Sequence, residues 1–325
     1  MGSASLLRRC ARLRVVVVGD LFLDRMIFGQ VKRLSREAPI PVLEETREQD
    51  LPGGGTAPAL GVVALGGTAE QIGVVGADPE GEILRGLLRD RGVGTNGVIC
   101  DRGRPTTLKT RIVAEGFLVY PQQVARIDRI ARHPLAAGIE AALIGAIRAK
   151  AADADAILVS DYRSGVVTPA LVAAIRDAGG DRVLRAVDAQ DALRQYAAFD
   201  LVKCNQAEAE RALGAPVTGE ALGDWRRRLG CRMVAVTRGP ASALLAHDGG
   251  VEEVPAANRS EVYDVTGAGD TVIAVLTLTL AAGASPREAL ELAQTAGGIA
   301  VRKWGNVPVS RDELAAALAA QERPA

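Results

Sequence analysis

Short apolar runs rich in β-branched residues recur along the chain and alternate with segments of helical spacing. The first run, Val15–Val18, is wholly apolar and ends in Gly19-Asp20, as expected for a central strand of a parallel sheet. Similar runs follow at Ala156–Val159, Leu184–Val187, Leu201–Lys203 and Met233–Thr237. Between them, Pro134–Ala151 and Pro169–Ala178 have the Ala/Leu/Arg spacing of helices. This alternation predicts a doubly wound α/β fold with a mostly parallel sheet, whose ligands bind at the carboxyl ends of the strands.

Two stretches of the chain differ from this alternation. Residues 26–48 and 98–128 are rich in β-branched and polar residues, with turn-forming residues between them. This composition is typical of antiparallel strands outside the main sheet. Because both stretches follow core segments, they predict a small antiparallel β lid over the carboxyl edge of the sheet. No repeat or long linker interrupts the chain, so residues 1–325 are expected to form one domain, frayed after about residue 320.

Charge and composition argue against several classes of function. The 39 basic and 39 acidic residues balance, so the chain lacks the long-range basic field that attracts nucleic acid or an anionic membrane. The first residues lack the apolar core of a secretory signal, and no apolar stretch reaches the length of a membrane span, which predicts a cytoplasmic protein. Four isolated cysteines and two histidines form no zinc motif. No G-x-G-x-x-G follows the first strand, which disfavours dinucleotide binding.

The most informative motif is the glycine-rich segment Asp264–Thr271, which is followed by the apolar, helix-like segment Val272–Ala282. Glycines let a backbone approach a ligand, and the free N–H groups of a first helical turn favour an anion. The motif therefore predicts a phosphoryl-binding site, although it lacks the Gly-Lys-Ser/Thr of a Walker A loop. Asp270 is either a general base for an attacking hydroxyl or simply the N-cap of the helix, since Asp suits both roles.

Two other features, a glycine cluster and a pair of acids, lie near predicted boundaries of strands and helices. The Gly53-Gly54-Gly55 cluster either lets a sugar approach the backbone or forms an ordinary tight turn. Asp20 and Asp24 flank the end of the first strand, where carboxylates can accept hydrogen bonds from a polyol. The residues alone leave open whether these two acids bind a ligand or serve a turn and the solvated surface.

In combination these motifs resemble those of the ribokinase-like (PfkB) sugar kinases over nearly the whole chain. In chain order they are Gly19-Asp20, Gly53-Gly54, Asn205-Gln206-Ala207-Glu208 and Asp264–Asp270. Within that family, Ser160-Asp161-Tyr162 and Lys109-x-Arg111 are similar to segments of the heptose 7-phosphate kinases of ADP-heptose synthesis. The resemblance implies a ribokinase-like fold, ATP and Mg²⁺ as cofactors, a small sugar or sugar-phosphate substrate, and a homodimer formed through the lid. Bifunctional relatives carry a further nucleotidyltransferase domain, for which this chain is too short.

The same resemblance assigns roles to individual residues. Asp270 is implied to be the catalytic base, with Gly267, Ala268 and Gly269 as the anion hole. The residues implied to bind the sugar are Asp20, Asp24, Gly53, Gly54, Lys109, Arg111 and Asp188. Those implied to bind the nucleotide are Asn205, Glu208, Thr237, Gly239 and Thr266, with Asn205 and Glu208 near Mg²⁺ through water.

Four positions depart from the pattern of the heptose kinases, mostly on the sugar side. Ala57 replaces an expected asparagine, Gln190 and Ser164 replace expected lysines, and Ser242 replaces an expected glycine. The sequence predicts transfer of the ATP γ-phosphoryl group to a sugar hydroxyl, with O1 of D-glycero-D-manno-heptose 7-phosphate as the leading acceptor. A PfkB kinase for another sugar or nucleoside is the first alternative, and a nucleotide-binding regulatory protein with weakened catalysis is the second.

Overall fold

The computed structural model of the chain describes residues 3–116, 121–258 and 262–321. The strands are, in chain order, β1 (Arg14–Gly19), β2 (Leu21–Leu34), β3 (Pro41–Gly54), β4 (Thr68–Gly76), β5 (Gly94–Asp101), β6 (Thr107–Glu115), β7 (Gln122–Arg129), β8 (Ala156–Asp161), β9 (Leu184–Ala189), β10 (Leu201–Asn205), β11 (Met233–Thr237), β12 (Ser242–His247) and β13 (Gly250–Pro255). The α-helices are α1 (Ser3–Cys10), α2 (Ala57–Ala64), α3 (Pro79–Asp90), α4 (Ala137–Ala151), α5 (Pro169–Asp177), α6 (Gln206–Leu213), α7 (Gly219–Leu229), α8 (Ala268–Ala281), α9 (Pro286–Ala300) and α10 (Arg311–Gln321). Short 3₁₀ turns lie at Gly180–Arg182 and Leu193–Tyr196.

The larger sheet confirms the predicted doubly wound architecture. Its strand order is β13-β12-β11-β10-β9-β8-β1-β4-β5 among the described residues. The pairs from β11 to β5 are all parallel, whereas β12 and β13 pair antiparallel at one edge. The carboxyl ends of the parallel strands therefore meet at one edge of the sheet, where the chemistry of such folds is located.

The core lies on both faces of this sheet, which explains why its central strands are apolar without alternation. In β1, Val15 and Val17 pack on the side of α8, while Val16 and Val18 pack on the side of α4 and α5. A strand buried on both faces has no solvated side to carry polar residues. None of the described helices is long and apolar enough to cross a bilayer.

The second sheet, which we call the lid, has the strand order β3-β2-β6-β7. β2 pairs antiparallel with β3, and β6 pairs antiparallel with β7, but β2 and β6 run parallel. The predicted small antiparallel lid is confirmed, with this one central pair running parallel. β2 continues from β1, and β6 follows β5. Both lid strands therefore leave the same carboxyl edge of the main sheet, and they run in the same direction.

The boundaries of the lid also differ from the sequence-based expectation. The first stretch begins at Leu21 and extends to Gly54, well beyond residues 26–48. The second begins at Thr107, because residues 98–101 belong to β5 at the edge of the main sheet. Residues 117–120, which fall inside the predicted second stretch, lie outside the described residues.

Candidate active site

The first turn of α8 is shaped by Gly267, which is its N-cap and adopts a left-handed conformation with φ +76°. A Cβ at this position would collide with the side-chain oxygen of Asn306, so only glycine fits. The preceding loop is fixed by Asp264, whose carboxylate accepts from the backbone N–H of Thr266 and of Gly305, each at 2.9 Å. The loop thus presents the N–H groups of the first helical turn, which lack intrahelical acceptors and favour an anion.

Asp270 is the third residue of α8 and is almost completely buried. The N-cap alternative for Asp270 is wrong, because Gly267 is the N-cap and no side chain caps the helix. Both carboxylate oxygens of Asp270 lie 3.1 Å from the hydroxyl of Tyr162. Burial, together with the nearby charge of Asp188, raises the pKa of Asp270 to about 7, although Lys203 and Tyr162 oppose the shift. A carboxylate with such a pKa is suited to proton transfer near neutral pH.

Lys203 completes the charged cluster, and sequence reasoning assigned it no role. Its ammonium lies 2.6 Å from Oδ2 of Asp188 on the neighbouring strand and is nearly buried. Burial alone would lower the pKa of Lys203, but the carboxylates of Asp188, Asp270 and Glu208 outweigh it and raise the pKa above its ordinary value. Lys203 therefore stays protonated. The available signal was a lysine, one of five in the chain, in the middle of a short and mostly apolar strand and two residues before Asn205.

Two cavities meet at the start of α8. The smaller, of about 170 Å³, is polar. It is lined by Asp161, Tyr162, Asp188, Gln190, Lys203, Asn205, Glu208, Gly267, Gly269 and Asp270. The larger, of about 380 Å³, is lined mainly by apolar side chains and backbone, and includes Thr237, Gly239, Val265, Ala268 and Gly269. Gly269 borders both cavities, so a ligand that filled the larger one could extend its polar end towards Asp270.

Asn205 and Glu208 form the N-terminal capping box of α6. The side chain of Asn205 accepts from the backbone N–H of Glu208 at 2.9 Å, and the Glu208 carboxylate accepts from the N–H of Asn205 at 2.7 Å. These bonds explain the Asn-x-x-Glu pattern locally and orient both side chains at the smaller cavity. The described residues contain no group of three or more His, Cys, Asp or Glu side chains able to hold a metal directly. The arrangement therefore fits only a cation that is held mostly by water and ligand oxygens.

Asp20 anchors the loop that follows β8. Its Oδ2 accepts from the backbone N–H of Tyr162 at 2.9 Å and of Ser164 at 3.0 Å, and its Oδ1 accepts from that of Val166 at 3.1 Å. Burial raises the pKa of Asp20 to about 6 against these bonds. With only 1% of Asp20 exposed and both of its carboxylate oxygens bonded to the loop, Asp20 serves to position Tyr162. These bonds do not favour the expected direct contact with a sugar.

On the lid side, Asp24 and Arg111 form an ion pair at 2.7 Å between β2 and β6. The ammonium of Lys109 lies 3.9 Å from the centroid of the Phe22 ring, and burial lowers the pKa of Lys109. Asp24, Lys109 and Arg111 do not line either cavity, although Lys109 also lies 5.5 Å from the ring of Tyr162, which lines the smaller one.

The glycine cluster has a packing role in the structure. A Cβ at Gly53 would collide with the carboxylate of Asp24, and one at Gly54, where φ is +57°, would collide with the ring of Phe22. The glycines therefore allow the end of β3 to lie directly against β2. This explains the pattern without a ligand, and contact between these glycines and a sugar stays a prediction.

The predicted site residues divide between these places. Asp188, Asn205 and Glu208 join the α8 motif at the smaller cavity, while Thr237 and Gly239 line the larger one. The residues that line neither cavity are Asp20, Asp24, Gly53, Gly54, Lys109, Arg111 and Thr266.

Comparison with known proteins agrees with this geometry. The model of the pfkB family of carbohydrate kinases matches residues 12–311. The chain belongs to that family. It is 39% identical over 321 residues to the bifunctional protein HldE of Geobacter metallireducens, which covers 95% of this chain and 64% of that protein. It therefore spans less than two thirds of the length of that relative. It is 38% identical over 314 residues to a D-beta-D-heptose 7-phosphate kinase of Bordetella bronchiseptica, covering 94% of this chain and 96% of that protein.

Solved structures of sugar kinases share the fold at low sequence identity. Phosphofructokinase-2 from Escherichia coli in complex with substrates and products superposes with a TM-score of 0.78 at 22% identity, over 96% of this chain and all of that one. Ribokinase from Arabidopsis thaliana complexed with ribose and ATP superposes with a TM-score of 0.71 at 21% identity, over 94% and 99% of the two chains. The ribokinase-like fold predicted for this family member is confirmed.

Proposed function

We propose that the chain transfers the γ-phosphoryl group of ATP to a sugar hydroxyl, with Asp270 as the general base. The observation that supports this most is the position of Asp270. It is a buried carboxylate with a raised pKa, beside the N–H groups of a helix start and the ammonium of Lys203. The regulatory alternative requires no such poised base.

The larger cavity suits the nucleoside part of the donor. Its volume of about 380 Å³ lies in the range of small-molecule sites, and its mainly apolar lining suits a flat base. Thr237 and Gly239 lie at its rim, as expected for nucleotide-binding residues. Because the cavity reaches Gly269, the phosphates of a bound ATP would arrive at the first turn of α8. Use of ATP would also fit the predicted cytoplasmic location.

The charge balance of the smaller cavity indicates a need for Mg²⁺. Three carboxylates, Asp188, Glu208 and Asp270, surround the single ammonium of Lys203. A triphosphate would add further negative charge, which one lysine cannot neutralise. Asn205 and Glu208 would hold Mg²⁺ through water. The ion would supply charge neutralisation on the phosphate oxygens.

The transfer itself requires positioning and electrostatic help more than covalent chemistry. Asp270 would accept the proton of the acceptor hydroxyl as that oxygen attacks the γ-phosphorus and the bond to the β-phosphate oxygen breaks. The N–H groups of the α8 start and the ammonium of Lys203 would stabilise charge on the phosphoryl oxygens. A base of this kind contributes about 10²–10⁴-fold to the rate.

For the acceptor, we propose O1 of D-glycero-D-manno-heptose 7-phosphate. The support is the similarity to the Bordetella bronchiseptica relative over almost the full length of both chains. Lys109 and Arg111 place two cations on the lid, where they could meet a phosphorylated sugar. A kinase for another sugar is the second candidate, because Ala57 is buried in α2 and Gln190 supplies no charge where the heptose kinases carry polar or cationic groups.

An ADP-release assay over a panel of sugars and sugar phosphates tests this proposal. Turnover with the heptose 7-phosphate, and not with ribose, fructose 6-phosphate or nucleosides, is the expected result. The anomeric position of the new phosphate should be visible by ³¹P NMR. Turnover with another acceptor alone would select the second candidate, and ATP binding without turnover on any acceptor would select the regulatory one.

We also propose that the chain forms a homodimer through the lid. Every residue of β7 is exposed, and Ile127 and Val124 are exposed to 62% and 43%. An edge strand with apolar side chains exposed is a surface that proteins normally cover. Light scattering should give a dimer for the wild type and a monomer for Ile127→Glu. A wild-type monomer at micromolar concentration would rule out this assembly.

A further inference from the structure

The hydroxyl of Tyr162 bridges the two carboxylate oxygens of Asp270, at 3.1 Å from each. The two residues come from different parts of the fold, since Tyr162 follows β8 and Asp270 lies in α8. Both line the smaller cavity. Tyr162 is thus the side chain that contacts the proposed base where an acceptor hydroxyl would have to approach it.

Tyr162 is held in this position from three directions. Its backbone N–H donates to Asp20, which also fixes the next part of the loop through Ser164. Its ring packs edge-on against Phe22 of β2, with centroids 5.2 Å apart and an angle of 66°. The ammonium of Lys109 on β6 lies 5.5 Å from its ring centroid. The hydroxyl is therefore aimed by both the main sheet and the lid, as a preorganised group should be.

The protonation state of Tyr162 makes it a donor. Burial raises its pKa well above the ordinary value, and the charges of Asp270, Asp188 and Asp24 add to the shift. A phenol that keeps its proton stabilises an ionised carboxylate that accepts its hydrogen bond.

The other charged groups near Asp270 shift its pKa in opposite directions. Asp188 on β9 and Asp24 on β2 favour its protonated form, whereas Lys203 on β10 favours the ionised form. Tyr162 adds a hydrogen bond that also favours ionisation. A base must be ionised to accept a proton, so these two groups would keep Asp270 competent in a site that burial otherwise makes unfavourable for charge.

We propose that Tyr162 is a positioning residue that keeps the carboxylate of Asp270 ionised and aligned for the acceptor hydroxyl. This inference rests on the proposed function of Asp270. One carboxylate oxygen would stay with Tyr162 while the other takes the acceptor proton. Asp20, through its bonds to the loop, would act on the reaction only by placing this phenol.

The substitution Tyr162→Phe removes the hydroxyl and keeps the ring against Phe22. The acid limb of the kcat profile should move to higher pH by about one unit, since a charge-assisted hydrogen bond is worth roughly that much. Activity should consequently fall about tenfold more at pH 6 than at pH 9. A merely structural role would lower activity equally at all pH values, and that result would overturn the proposal.

Tyr196→Phe is the matched control, because the hydroxyl of Tyr196 donates to Asp161 at 2.6 Å and not to Asp270. It should lower the melting temperature without moving the acid limb. An equal shift in this control would show that the effect is not specific to Tyr162.

A measurement without turnover separates this inference from the proposed function. The carboxyl of Asp270 can be titrated by ¹³C NMR in aspartate-labelled, ligand-free protein, with its signal assigned through Asp270→Asn. A higher pKa in Tyr162→Phe supports the inference even if no sugar on the panel is phosphorylated. An unchanged pKa contradicts it even if the wild type is an active kinase.

Discussion

The ammonium of Lys203 fills the space beside the Cα of Gly269, where an added methyl carbon would lie 2.9 Å from its Nζ. The glycine therefore does more than free the backbone at the helix start. Its missing side chain is what allows a cation from the neighbouring strand to reach the same place as the N–H groups of α8. Two sources of positive potential, a helix terminus and a lysine, converge there on one side of Asp270.

Gly269→Ala should therefore reduce kcat without loss of stability. The new methyl group would push the ammonium of Lys203 aside, and we expect a loss of about ten- to a hundredfold, comparable to the removal of one electrostatic contact in a transition state. Alanine in a helix is favoured over glycine by about 0.5–1 kcal/mol, so the melting temperature should hold or rise.

Gly145→Ala, in α4 with open space around its Cβ, is the matched control. It should gain the same stability and keep full activity; equal activity of both variants would contradict the role given to Gly269.

Lys203→Met should remove the cation altogether. Turnover should fall by at least about a hundredfold, because the methionine stem fills the space but cannot meet a phosphoryl oxygen. Gln190 lines the same cavity, at the position where the resemblance to the heptose kinases leads us to expect a lysine. The double variant Lys203→Met, Gln190→Lys should therefore recover part of the activity, while Gln190→Lys alone should change kcat little. Steady-state kinetics at saturating ATP checks both, and no recovery in the double variant would show that the two positions are not interchangeable.

Asp188→Asn should shift the pH dependence in the direction opposite to the Tyr162 variant. The charge of Asp188 raises the pKa of Asp270, and its removal also frees Lys203 to act on Asp270 alone. The pKa of the base should fall, so the acid limb of kcat should move to lower pH from its wild-type position near 7. Profiles of kcat from pH 5 to 9 measure the shift. A limb that stays in place or moves upward would mean that Asp188 does not act on Asp270 as its position suggests.

The sequence predicted the parts of this site that a local pattern encodes. The α8 motif carries its own signal, because a left-handed glycine, a small residue and an acid must follow one another at fixed spacing. Asn205 and Glu208 are similarly local, since a capping box spans four residues. The strands β1, β8, β9, β10 and β11 were visible because burial on both faces makes most of their residues apolar.

The other parts of the site depend on tertiary contacts, which no local sequence pattern can predict. Lys203 meets Asp188 across a strand pair, and Tyr162 meets Asp270 across 108 residues of chain. Asp20 follows a strand end in the sequence, but only the structure shows that its carboxylate accepts hydrogen bonds from a loop more than 140 residues away. Its contact with a sugar stays a prediction. The strand β4 went unpredicted because Glu70 and Gln71 interrupt its apolar run.

Asp270→Asn should lower activity but raise the stability of the fold, and the gain in stability should depend on pH. The pKa of Asp270 is raised to about 7 in the folded protein, above its value in the unfolded chain. A raised pKa means that the folded state holds the proton more tightly, so the stability this gives is present at low pH and is lost as the pH rises through 7. Between pH 5 and pH 8 the wild type should therefore lose up to about 3 kcal/mol through this group. The asparagine carries no charge and can still accept from Tyr162, so the variant should avoid that loss.

Kinase activity of the Asp270→Asn variant should fall by about 10²–10⁴-fold with nucleotide binding retained. Thermal unfolding of the ligand-free proteins should show the variant more stable than the wild type at pH 8, with the difference much reduced at pH 5. A constant difference across that range would mean that the pKa of Asp270 is not raised in the folded protein, and near-normal turnover would remove it as the base.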